Sequence, residues 1–281
     1  MRQITIIGAG LIGGSFALAA RKAGFTGRLV ACDRPVVLAR ARSLGAFDVG
    51  FVDARQAVVN SDVVLLATPV GGILDYLEQA AGWPQTSLIT DVGSTKLEIV
   101  QRARNIFGSA AAQRFLPGHP MAGKELSGLD QADADLFRGA VWLITPYQKQ
   151  NLEQGSAKDF LELVSAMGAR MMTLDPERHD RLCAWVSHLP QMVSTALAAA
   201  LLDEFGDAPD LHAIGGRALR EMTRIAASPY SMWRDIAFTN TANIADAIQH
   251  LEQHLAHLRE NLKTRELEEM FGKGNEFRKQ R

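Results

Sequence analysis

Gly8-Ala9-Gly10-Leu11-Ile12-Gly13 follows the apolar run Ile4-Thr5-Ile6-Ile7 and opens a helical stretch from Leu11 to Ala23. A glycine turn between a strand and a helix has a specific use: the first glycine makes the tight turn, the second lets backbone approach a pyrophosphate, and the third lets helix pack on sheet. The helix start then offers unpaired N–H groups to an anion. Gly8, Gly10, Leu11, Ile12 and Gly13 are therefore candidate cofactor-binding residues, because it is the strand–turn–helix context that gives such a pattern its specificity. Asp33 closes the second apolar run, twenty residues past Gly13. There a carboxylate accepts from ribose hydroxyls and repels a 2′-phosphate, which favours NAD. Arg34 beside it can instead receive a phosphate, so NADP stays open.

Outward from this turn, β-rich runs alternate with helical segments. The expected strands are Ile4 to Ile7, Leu29 to Cys32, Val63 to Ala67, Leu88 to Thr90, Ala140 to Thr145 and Arg170 to Leu174. Several are continuously apolar, as parallel strands covered on both faces are. The pattern predicts an α/β fold, a Rossmann-type doubly wound parallel sheet. Thr68-Pro69 and Asp91-Val92-Gly93-Ser94 fall at strand C-terminal ends, where such sheets bind ligands. Thr68 and Pro69 are candidate cofactor contacts, and Ser94 reads either as a site residue or as the N-cap of a helix from Lys96 to Phe107.

After Asp175-Pro176 the strand signals stop. The expected division is a dinucleotide-binding domain over 1–175 and an all-helical domain over 176–281, as the 281-residue length also suggests. Ile244, Ile248, Leu251, Leu255, Leu258 and Leu262 form one apolar stripe that reads as core, in a domain that can also supply a dimer interface. Met192 to Leu202 is too short to span a bilayer and reads as a buried helix. Arg265 to Arg281 reads as a short helix with a frayed tail.

With 47% apolar residues and a formal net charge of −1, the chain has core-forming capacity and lacks the charge of a nucleic-acid or anionic-membrane binder. A small-molecule substrate is expected. Cys32 and Cys183 are the two cysteines, too far apart in sequence for paired metal-ligand spacing, so neither a disulfide framework nor a metal site is expected. The first strand begins near Gln3, no leader is visible before it, and a cytoplasmic protein is expected.

His119 lies in Gly118-His119-Pro120-Met121-Ala122-Gly123. Proline biases the residue before it away from helix, so the ring is expected to project from a loop. Alone it is an ordinary turn histidine; beside a nucleotide-binding turn it is a candidate base for a hydride-transfer reaction.

These residues resemble the prephenate and arogenate dehydrogenases of tyrosine biosynthesis. The likeness rests on GAGLIGGS at Gly8 to Ser15, ATPV at Ala67 to Val70, DVGSTK at Asp91 to Lys96 and GHPMAGKELSG at Gly118 to Gly128. It continues through His179-Asp180, SHLP at Ser187 to Pro190 and TRIAASPYSMW at Thr223 to Trp233. The resemblance implies a Rossmann-type domain followed by a helical dimerisation domain, a homodimer, and NAD-linked oxidative decarboxylation of prephenate or arogenate. It implies His119 as base, Ser94 as the residue that orients the substrate hydroxyl, and Arg224 as clamp for the side-chain carboxylate. Trp233 would wall the pocket, Glu125 would set its charge, and His188 and Arg220 match further substrate-site positions, with Arg220 and Glu221 as a possible exposed pair. His179 matches a family histidine and equally suits a core residue. Many prephenate-using relatives carry histidine where this chain has Gln191, which leaves the choice between prephenate and arogenate open. Competing readings are a β-hydroxyacid-type NAD(P) dehydrogenase, which would use a lysine base in the helical domain, and a silent NAD-binding sensor.

Overall fold

A computed structural model describes residues 1–85 and 87–279. Six parallel strands form the main sheet: β1 (Gln3–Ile7), β2 (Arg28–Cys32), β3 (Val49–Phe51), β4 (Val63–Leu66), β5 (Leu88–Asp91) and β6 (Phe115–Leu116). Their order, β3-β2-β1-β4-β5-β6, is that of a Rossmann-type sheet. All five residues of β1 are buried between β2 and β4. Its two polar side chains are satisfied: the Gln3 amide donates to the Val59 carbonyl at 2.8 Å, and Thr5 donates to the Ala57 carbonyl at 2.8 Å and shares a 2.6 Å bond with Ser61, so the strand tolerates burial on both faces. At Gly8 (φ 98°) a Cβ would lie 2.5 Å from the Ala67 carbonyl oxygen, and at Gly13 it would lie 2.0 Å from that of Gly8. Both positions require glycine.

The remaining strands do not extend this sheet. β7 (Gly118–Pro120), β8 (Val141–Ile144) and β9 (Arg170–Thr173) form a separate three-stranded sheet, β7 antiparallel to β8 and β8 parallel to β9. Trp142 on β8 is fully buried and packs on Phe16, Phe137 and Phe160. β9 is an edge strand with Met171 and Met172 exposed.

β9 is followed by a helical half, entered at Asp175, whose carboxylate accepts from Arg178 N–H at 2.8 Å and caps the helix Pro176–Cys183. A π-helical turn, Ala184–His188, joins this to the helix Leu189–Phe205. Pro190 has no N–H to give to Val186, and the chain widens there. Ala184, Ile236 and Ile244 form a small core with Met192, Met232, Trp233 and Ile248. The apolar stripe on Thr241–Glu260 is thus buried at Ile244, but Leu255 is exposed, as is Leu262 just past the helix end. Along Met192 to Leu202 only Ser194 is buried, and Leu202 is exposed, so the stretch is not the buried helix expected. These two faces are not core within one chain. Arg265–Lys279 is one continuous helix rather than a short one with a frayed tail; the last two residues lie outside those described.

Two carboxylates of the helical half seat on helix starts of the sheet half. Asp235 accepts from Gly71 N–H at 2.9 Å. Asp180 accepts from Lys96 N–H at 2.7 Å and Leu97 N–H at 2.9 Å.

Candidate active site

The helix Leu11–Lys22 has Gly10 as its N-cap, with no side-chain cap. The N–H groups of Leu11, Ile12 and Gly13 therefore lack intrahelical partners, and a Cβ at Gly10 would meet nothing within 4 Å. Open backbone donors at a helix start suit a pyrophosphate. Beside them, Gly8, Asp33, Arg34, Thr68 and Tyr76 line a recess of about 170 Å3. The Asp33 carboxylate accepts from Ala9 N–H at 2.8 Å and Arg34 N–H at 2.7 Å, so it also fixes the glycine turn. Arg34 is mostly exposed, its Nε 3.8 Å from Asp33. Among the described residues the buried Thr68 hydroxyl meets no hydrogen-bond partner, while Pro69 is the N-cap of the helix Val70–Ala80.

Next to the glycine turn, a cavity of about 430 Å3 opens between the two halves, and His119 and Arg224 both line it. Leu11, Ile12 and Ser94 come from the sheet half, and Gln191, Met232 and Trp233 from the helical half. His119 does not sit in a loop. The extended geometry that proline imposes places it in β7, opposite Leu143.

The His119 ring is held from behind. Its Nδ1 lies 2.9 Å from His179 Nε2, and His179 Nδ1 lies 2.8 Å from the Asp180 carboxylate. A carboxylate accepts only, so His179 carries its proton on Nδ1 and accepts at Nε2. His119 must then donate from Nδ1, which leaves the lone pair on Nε2. Burial, followed by His179 and Lys96, holds the His119 pKa well below 6.5, so the ring is neutral and able to accept a proton.

The loop before it is set by a buried ion pair. Lys96 Nζ contacts the Asp91 carboxylate, both side chains fully buried. Asp91 also accepts from Gly93 N–H at 2.8 Å and Gly118 N–H at 3.1 Å. One carboxylate thus spaces the residues beside Ser94 and His119. Ser94 is not the helix cap that the sequence allowed: Asp180 fills that place from the other half. The Ser94 side chain lines the cavity instead.

Arg224 Nη1 pairs with Glu125 at 2.9 Å across the cavity. The Gln191 amide nitrogen donates to the Ile225 carbonyl at 2.9 Å and Thr195 at 3.2 Å, leaving its carbonyl oxygen as the group it can offer a ligand. Trp233 Nε1 is buried and has no hydrogen-bond partner among the described residues.

Two expected substrate residues lie elsewhere. Arg220 is exposed and donates to the Gly215 carbonyl at 3.0 Å, outside the cavity lining, and Glu221 pairs with Arg217 rather than with Arg220. His188 is fully buried behind the wall, its ring edge-on to Trp233 and its Nδ1 3.2 Å from the Asn240 amide. Conversely, His179, Asp180, Lys96 and Asp91 carry the site's architecture, and the HD and DVGSTK motifs were the signals for them.

Burial pushes the His188 pKa down to about 4 from the ordinary 6.5. A depressed histidine stays neutral in the fold while its unfolded counterpart protonates, so its stabilisation is full above pH 6.5 and is lost as pH falls from 6.5 to 4. The loss from His188 alone is on the order of 3 kcal/mol, and His119 and His179 shift in the same direction. Urea unfolding between pH 7 and 4 is expected to show stability falling with pH; a flat profile would contradict the buried neutral state.

A Rossmann-order sheet with an open glycine turn, and a neutral imidazole beside it in an interdomain cavity, define a two-domain dinucleotide-dependent dehydrogenase. Residues 16–173 match the family profile described as prephenate dehydrogenase, nucleotide-binding domain, and residues 175–273 match prephenate dehydrogenase, dimerization domain. The chain belongs to the prephenate dehydrogenase family. It is 31% identical to a prephenate dehydrogenase of Lactococcus lactis over 99% of this chain and 77% of that one. A crystal structure of an Aquifex aeolicus prephenate dehydrogenase in complex with hydroxyphenyl propionate and NAD+ is similar at a TM-score of 0.86 and 32% identity, covering 99% of this chain and 96% of that one. A Synechocystis arogenate dehydrogenase structure is similar at 0.78 and 27%, covering 99% of each chain. Among the described residues no helix is long and apolar enough to cross a membrane.

Proposed function

We propose that this chain oxidatively decarboxylates prephenate or arogenate with NAD+, residues 1–175 holding the dinucleotide and residues 176–281 completing the substrate pocket. The carrying observation is that His119 and Arg224 line one cavity beside the glycine turn. NAD+, when bound on Gly8, Gly10, Leu11, Ile12, Gly13 and Asp33, supplies the hydride acceptor. His119 Nε2 takes the proton of the ring hydroxyl as hydride leaves the same carbon, the ring carboxylate departs as CO2, and the ring becomes aromatic. Ser94, on the same wall, orients that hydroxyl. Arg224 exchanges Glu125 for the substrate's side-chain carboxylate, a two-pronged ion pair. Gln191 presents an acceptor where a cationic histidine would favour a carboxylate, and this supports use of the ammonium-bearing arogenate alongside prephenate.

NADH formation measured with each substrate, against NAD+ and NADP+, tests the reading; absence of CO2 and of an aromatic product would sink it. Arg224→Ala is expected to raise KM about 10- to 100-fold, the worth of a charged hydrogen bond, with a smaller effect on kcat. An unchanged KM would remove Arg224 from the substrate site.

The second half matches a dimerization profile and leaves Leu202, Phe205, Leu255 and Leu262 exposed. The chain is therefore expected to run as a homodimer in light scattering, and a monomer at micromolar concentration would contradict it.

A further inference from the structure

We infer that His119, His179 and Cys183 form a binding site for a zinc-class divalent cation, and that filling it switches off the base. His119 Nδ1 and His179 Nε2 are 2.9 Å apart, and the Cys183 sulfur lies 4.0 Å from the first and 3.7 Å from the second. A point equidistant from all three atoms is about 2.1 Å from each, within the range of Zn–N bonds and a little short of Zn–S. A cation slightly out of that plane meets three ligands with little movement of the backbone. Among the described residues no other His, Cys, Asp or Glu trio converges like this. The cysteine count gave no hint of it, because β7 and the helix Pro176–Cys183 bring the ligands together only in the fold.

The set is chemically matched. Two imidazoles and a thiolate suit a borderline-soft divalent ion, and three protein ligands leave a fourth position for water. His179 already donates Nδ1–H to Asp180 at 2.8 Å, the outer carboxylate that orients a metal-bound histidine and raises its basicity. Cys183 has no task in the reaction proposed above.

The consequence follows from proton positions. Without metal, His119 carries its proton on Nδ1 and its lone pair on Nε2. A cation on Nδ1 takes the lone pair of that nitrogen, so the ring's proton moves from Nδ1 to Nε2, and Nε2 can no longer accept one from substrate. The thiol proton goes to solvent, and one proton is released per metal bound. Metal binding stands on geometry alone; the inhibition rests on His119 being the base.

The test uses chelator-treated full-length protein titrated with zinc chloride and, separately, cobalt chloride. The expected result is one metal per chain, a thiolate-to-cobalt charge-transfer band, and loss of turnover reversed by chelator. Cys183→Ala is expected to keep its metal-free turnover, lose the band and bind zinc at least about 100-fold more weakly. Cobalt binding without a thiolate band, or equal zinc affinity in parent and variant, would overturn the site. Should Cys183→Ala not fold, the parent's cobalt spectrum and proton release still decide. Stoichiometric metal with a thiolate band but undiminished turnover would refute the switch and, with it, the assignment of His119 as base.

Discussion

His119→Asn is expected to lower kcat roughly 1,000-fold, the scale on which a positioned general base contributes, while KM changes by no more than a few-fold. Asparagine can still donate a hydrogen bond towards His179, but it has no lone pair able to take a proton near neutral pH. Arg224, the proposed carboxylate clamp, lines the same cavity from the helical half, so binding is expected to be left largely intact. Steady-state NADH production against substrate concentration separates the two parameters. A raised KM with kcat preserved would make His119 a binding residue. His179→Asn should reproduce part of the kcat loss without touching substrate, because it removes the acceptor that fixes the His119 proton on Nδ1.

Lys96→Met is expected to cost about 3 to 5 kcal/mol of stability, the usual penalty for leaving one charge of a buried pair alone. Lys96 and Asp91 are both fully buried, and methionine fills most of the lysine's volume, so the loss is electrostatic rather than a cavity. The double substitution with Asp91→Asn should recover part of it by removing the orphaned charge. It cannot recover the whole, since Asp91 also holds the Gly93 and Gly118 N–H groups. Denaturant midpoints of the two variants check this. A Lys96→Met protein within 1 kcal/mol of the parent would mean that the site relaxes or admits water.

The Rossmann half was legible because it is written locally. Ile4 to Ile7, the glycine turn and Asp33 lie within about thirty residues, and each has one conformational job. β3 and the two-residue β6 were not legible, since strands this short are defined by what they pair with. β7 was misread for a related reason: the bias that Pro120 imposes is compatible with loop and strand alike, and only β8 decides between them. The split into two sheets was invisible because β8 looks the same whether it joins β6 or β7. Within the site, the motifs that bring in His119, Ser94, Arg224, Gln191 and Trp233 correspond to residues that line one cavity from both halves. His188 and Arg220 sit in equally recognisable stretches yet face elsewhere, because a motif preserves the neighbourhood of a residue and not the direction of its side chain. The helix Leu189–Phe205 is apolar over much of its length, which reads as burial, but in a single chain that burial is incomplete.

Asp180 takes the backbone N–H groups of Lys96 and Leu97 with the same carboxylate that steadies His179. Domain docking and imidazole readiness are therefore one variable rather than two. A chain whose halves have not yet met has its histidine but not the Asp180–His179 contacts that order the proton. With His119 as the proposed base, competence is expected to arrive as the halves dock and to depart as they part.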